Sequence, residues 1–168
     1  MAEVQIVCKN KVVKYSGLFN VNTVHKFLMQ WLRENGFTNF EERTEEQVFP
    51  EGRQIIYNYK PFSKFTDFAK AVIYLNVTMS NINDVTIDVD GQKKQMQKGD
   101  IEISISGYIE TDYNNKWETK PFYYFFKIVS EKFFLGGHRS YYNKFVTGKC
   151  ESLYEDTKAM LNIHSLKI

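Results

Sequence analysis

Two hydrophobic periods alternate along the chain and divide it into elements before any single residue type matters. From Val4 to Val13, β-branched residues interleave with polar ones, which predicts a strand or hairpin. Val24, Phe27, Leu28, Trp31 and Leu32 then fall at helical spacing and make one apolar stripe. Asn22 or Thr23 stands where a cap is needed, and Asn35-Gly36 supplies a left-handed stop. Phe37 to Phe49 is polar and reads as an exposed strand. Pro50-Glu51-Gly52 turns it into another from Arg53 to Tyr59.

The period of two is clearest further on. Ala71, Ile73, Leu75, Val77 and Met79 alternate with Val72, Tyr74, Asn76 and Thr78, so one face is wholly apolar. Val85 to Val89 leads into Asp90-Gly91, a dipeptide suited to a two-residue hairpin turn, and Lys98-Gly99-Asp100 reads as a further turn. Ile101, Ile103, Ile105 and Ile109 then face one way; Glu102, Ser104, Ser106, Tyr108, Glu110 and Asp112 face the other. One buried and one wet face is the pattern of an antiparallel sheet. After Asn114-Asn115 the period becomes helical. Phe122, Phe125, Phe126, Val129 and Phe133 form a stripe behind Pro121, and Gly136-Gly137 is expected to break that helix. A last helix is predicted from about Ser140 to Asn162, with Val146, Cys150, Leu153, Met160 and Leu161 on one side.

Strands followed by helices, with one early helix, indicate an α+β fold and not a parallel βαβ sheet. No repeat or linker interrupts residues 1–168, so one domain is expected. This order of elements resembles the helix-grip arrangement of START-like ligand-binding domains, which implies a ligand held between the sheet and the last helix. Gly107-Tyr108-Ile109-Glu110-Thr111-Asp112-Tyr113, with Trp117 and Pro121-Phe122, resembles a signature of small uncharacterised archaeal proteins, a resemblance that implies no activity.

Composition narrows the classes of function. Twenty-two basic residues against 20 acidic ones leave a formal charge of +2, too balanced for a chain built mainly to neutralise phosphates. Cys8 and Cys150 are the only cysteines and make no disulfide framework. With no leader pattern in the first ten residues and no apolar run of membrane-spanning length, a reducing, cytoplasmic setting is expected.

Reaction motifs fail one by one. Asp88-Val89-Asp90-Gly91 echoes a calcium loop, yet aligning Gly91 with its glycine puts Thr86 and Gln97 where carboxylates are needed. His25, His138 and His164 never pair at helical spacing, and no Cys-x-x-Cys occurs, so no metal is expected. No Gly-x-Ser-x-Gly and no phosphate-cradling glycine pattern is present. Glu102, Glu110 and Asp112, like Glu41, Glu42, Glu45 and Glu46, sit on patterns that predict solvent, not the desolvated carboxyl that acid catalysis needs. Neither catalytic residues nor cofactors are expected.

The aromatic content of 16% exceeds what the apolar stripes use. Tyr123, Tyr124 and Phe134 fall off the stripe of their predicted helix, and Tyr141 and Tyr142 open the last one. They point to a non-enzymatic protein–protein interaction or self-assembly (homo-oligomer) surface. The alternative is a small apolar ligand bound against the isoleucine face. A third reading takes Lys60, Lys64, Phe65 and Lys70 as contacts for single-stranded nucleic acid, with aromatics stacking bases and lysines following phosphates.

Overall fold

A computed structural model describes residues 3–38, 42–67, 69–89, 91–111 and 135–165. Its elements are β1 (Glu3–Phe19), α1 (Val21–Glu34), β2 (Glu42–Phe49), β3 (Gly52–Tyr59), β4 (Phe62–Lys64), β5 (Ala69–Val89), β6 (Gln92–Thr111) and α2 (Leu135–Ser165). All strands join one antiparallel sheet in the order β1-β6-β5-β3-β2, so the first strand lies beside the last. Segregated helices on such a sheet make this an α+β protein, as the two periods predict. β4 pairs with β5 in the register that β3 uses: Tyr59 lies opposite Leu75 and Phe62 opposite Val72. The two are therefore one line broken at Lys60-Pro61, where proline has no N–H for the ladder. Its carbonyl still accepts from the Ile73 N–H at 3.0 Å.

The long β5–β6 hairpin closes with Val89 paired to Gln92 and Gly91 at φ +78°. Lys98-Gly99-Asp100 is not a turn, contrary to the sequence expectation; β6 runs straight through it. The glycine is needed for a different reason. β5 bulges between Ser80 and Asn83, and Asn81 takes φ +54°. A Cβ on Gly99 would lie 2.7 Å from the Ser80 carbonyl oxygen, and one on Gly52 would lie 2.8 Å from the Asn81 carbonyl carbon. Glycines on both neighbouring strands thus make room for the bulge.

Across the hairpin, Ala71 faces Ile109, Leu75 faces Ile105, Val77 faces Ile103 and Met79 faces Ile101, all buried. This inner face receives both helices. α1 buries Val24, Leu28, Trp31 and Leu32; its cap is Asn20, whose side chain accepts from the Thr23 N–H, two residues before the expected cap. α2 buries Val146, Cys150, Leu153, Met160 and Leu161. It spans Leu135–Ser165, so Gly136-Gly137, expected as a break, lies within a helix. The helices meet through Trp31 Nε1, which donates to Asp156 at 2.7 Å, and Lys149 Nζ, which donates to Asn35 Oδ1 at 2.7 Å. α2 lies close against the sheet at Gly107, where an added Cβ would stand 2.6 Å from both Cys150 Sγ and Val146 Cγ1.

The aromatic helix expected over Phe122 to Phe133, with Tyr123, Tyr124 and Phe134, lies outside the described residues.

Candidate functional site

With the helices on the inner face, the polar chemistry of the central strands is gathered on the outer one. Asn76 of β5 lies directly opposite Asn58 on one side and Ser104 on the other, a polar row across three strands. Asn is a poor strand former, and here three of its side chains bond one another or a neighbour. Asn76 Nδ2 donates to Asn58 Oδ1, Thr78 Oγ1 donates to Asn76 Oδ1 at 3.2 Å, and Ser104 donates to Asn10. Arg43, Asn58, Lys60, Tyr74, Asn76 and Ser106 line a bowl of about 440 Å³ over this row. Amide and hydroxyl groups beside an exposed tyrosine ring are suited to a small polar ligand.

One end of the same face holds an ion cluster. Glu110 accepts from Lys70 at 2.8 Å and from Lys60 at 3.4 Å. Burial alone drives the Glu110 carboxyl up. The hydrogen bonds and charges of Lys70 and Lys60 outweigh it, and the net shift is downward. Lys60 also sits over the Tyr74 ring at 5.1 Å, and Lys70 over Phe62 at 4.9 Å. Glu110 is therefore not the solvated carboxylate that strand alternation suggests. Its lysine partner across the ladder is hidden in the sequence because the bulge at Asn81 shifts the register counted from the turn.

The residues singled out for nucleic acid are thus mostly engaged within the chain. Lys60 and Lys70 converge on Glu110, and Phe65 stacks on Tyr142 at 4.3 Å with Phe145 edge-on at 5.1 Å; Lys64 is exposed. Tyr142 accordingly clamps α2 to the loop before β5 and is half-buried. Tyr141 is 60% exposed. At Gly107 the sheet and α2 stand in close contact, with Cys150 and Val146 where a Cβ would be.

A feature the sequence reading missed lies at the sheet's two edges. The large apolar side chains exposed among the described residues include Val4 (57%) and Ile6 (58%) on β1, and Val48 (77%) and Phe49 (45%) on β2. Among the described residues no strand pairs with the outer side of either. β2 carries ion pairs of its own, Arg43 with Glu45 at 2.8 Å and Glu46 with Arg53 at 3.3 Å. β1 is interrupted by register shifts on both sides of Cys8.

Among the described residues, no three His, Cys, Asp or Glu side chains come together as a metal site, and no helix is long and apolar enough to cross a membrane. Fold and surface define an α+β protein with an antiparallel sheet, one face under helices and the other polar. No family model, no curated protein and no solved structure matches the chain.

Proposed function

We propose that this is a non-enzymatic interaction protein that associates with a copy of itself through the edges of its sheet. One observation carries the reading: four of the six large apolar side chains exposed among the described residues stand on the two edge strands. An edge strand offers a row of unpaired N–H and C=O groups. Apolar side chains beside that row give a second chain both ladder bonds and desolvated anchors. Tyr141 adds an exposed aromatic on α2, in keeping with the aromatic-surface expectation. Light scattering tests the idea. The expected mass is a multiple of the 19.9 kDa chain, falling with dilution. A monomer at every concentration up to the millimolar range excludes it.

The polar row supports a second reading, a small neutral sugar-like ligand in the bowl beside Tyr74. Hydroxyl-rich ligands match amides and hydroxyls that both donate and accept. Titration with glucose, glucose 6-phosphate and inorganic phosphate, followed by amide chemical shifts of Asn58, Asn76 and Ser106, tests it. Saturable shifts with glucose that Asn76→Ala abolishes support the reading. Shifts with phosphate alone, or with none of the three, reject it.

A further inference from the structure

The chain has only two cysteines, far apart in sequence, and the fold brings both against Gly107. Regular alternation would leave Cys8 on the side of Val4 and Ile6, away from the helices. The register shift between Ile6 and Cys8 turns it over: Ile6 pairs with Tyr108 on the outer face, whereas Cys8 pairs with Gly107 on the inner one. From α2, Cys150 arrives at the same place. The point where a Gly107 Cβ would stand is 2.6 Å from Cys150 Sγ and 3.2 Å from Cys8 Cβ. A side chain at residue 107 would keep the two apart.

We propose that Cys8 and Cys150 form a site of thiol oxidation, closing to a disulfide that ties β1 to α2. The bulge that aims Cys8 inward, the glycine opposite it in β6 and the helix position all serve that meeting. Both thiols are buried and free of a disulfide, and Cys8 Sγ donates to the Lys9 carbonyl oxygen at 3.7 Å. Burial, and then the neighbouring Cys8 thiol, push Cys150 up from its ordinary pKa, so it is a poor thiolate while α2 is docked. Lys11 and Glu151, paired with each other, are the charged groups beside them. Oxidation accordingly belongs to moments when α2 lifts or when the chain is folding.

The oxidant is a low-molecular-weight disulfide such as oxidised glutathione. One cysteine thiolate attacks a glutathione sulfur, the glutathione S–S bond breaks, and a glutathione thiolate leaves and takes up a proton. The second cysteine loses its proton to solvent, attacks the cysteine sulfur of the mixed disulfide and expels the second glutathione. Two electrons pass from the cysteine pair to the glutathione pair.

The test refolds the full chain from urea in buffers of graded reduced and oxidised glutathione, so access to the thiols is not limiting. Acid quench, alkylation and intact mass then give the oxidised fraction, with a parallel series kept in urea. The folded chain is expected to reach half-oxidation in a buffer at least about tenfold more reducing than the unfolded chain. The oxidised form is expected to melt roughly 10 °C higher. Cys8→Ser and Cys150→Ser should each yield one alkylated thiol and no such rise. An equal or weaker tendency to oxidise in the folded chain, a persistent mixed disulfide with glutathione, or an oxidised form that melts lower overturns the proposal. None of these outcomes depends on whether the sheet edges associate.

Discussion

Ile103 and Ser104 are neighbours in β6 and face opposite sides of the same sheet. Ile103 lies opposite Val77, fully buried beneath the helices; Ser104 lies opposite Asn76, half-buried in a polar row. The backbone ladder serves both sides equally, so the difference is a matter of side chains. Each inner isoleucine removes its whole apolar surface from water, worth about 1.5–3 kcal/mol. The outer residues exchange bonds with one another and with solvent, at a net value near 1 kcal/mol each. Stability is concentrated on one face. The other is left to be shaped by whatever it meets.

The sharpest way to break this contrast is to truncate both neighbours. Ile103→Ala is expected to cost about 2–5 kcal/mol in urea denaturation, because a close-packed interior collapses only partly around the lost atoms. Ser104→Ala should cost under about 1 kcal/mol. Comparable losses at the two positions would mean that the outer face is packed as tightly as the inner. Gly107→Ala comes next. Its single added carbon would approach Cys150 Sγ and Val146 Cγ1 at 2.6 Å, and α2 must retreat to admit it. A loss of about 1–3 kcal/mol is expected, in thermal or chemical melting. Gly107→Ala with Cys150→Ala should recover part of it, whereas Gly107→Ala with the distant Ser80→Ala should not.

Why the inner face was legible and the outer was not follows from these same residues. Periodicity reports burial, and the isoleucines of β6, the apolar stripe of α1 apart from the half-buried Phe27, and that of α2 are buried as their spacing predicts. Periodicity does not report register. A single bulge at Asn81 separates the turn at Gly91 from the pairing of Lys70 with Glu110, and another turns Cys8 inward. Glycine was likewise ambiguous. Gly99 was read as a turn residue because glycine permits turns, yet it is there because a neighbouring backbone comes close. The exposed pairs at Val4, Ile6, Val48 and Phe49 were unreadable for a third reason: which strands lie at the edge is a property of topology, which no local pattern carries. Tyr142, expected at an interaction surface, is half-buried and stacks on Phe65, a contact its spacing does not reveal.

A smaller effect is expected at the ion cluster, and pH gives its sign. The Glu110 carboxyl is held below its ordinary value of 4.5 in the folded chain, since Lys70 and Lys60 outweigh burial. A depressed carboxyl stabilises the fold above the unfolded value, and that contribution disappears as pH falls through the folded one. Glu110→Gln should therefore lose about 1 kcal/mol at neutral pH. The gap from the parent chain should stay constant down to about pH 5 and narrow below 4.5. Chemical melts at intervals from pH 7 to pH 3 measure it. A gap that widens on acidification would contradict the lysine-dominated balance.

The smallest expected effect on stability is at the edges, and there it is the most informative about function. Val48→Lys and Ile6→Lys each replace an exposed side chain, so unfolding free energies should move by no more than about 0.5 kcal/mol. Their masses should behave differently according to how the sheets join. If β2 of one copy pairs with β2 of another, Val48→Lys alone yields monomers and Ile6→Lys keeps the parent mass. If β1 pairs with β1, the reverse holds. If β1 of one copy pairs with β2 of the next, the contact is heterologous, and either variant alone is monomeric. Mixing them then restores exactly one sound junction, because the Val48→Lys chain retains its β1 edge and the Ile6→Lys chain retains its β2 edge. Such a mixture stops at a dimer, whereas the parent chain continues to larger assemblies or a closed ring. Should both variants keep the parent mass, neither edge is the contact, and the exposed apolar pairs need another explanation.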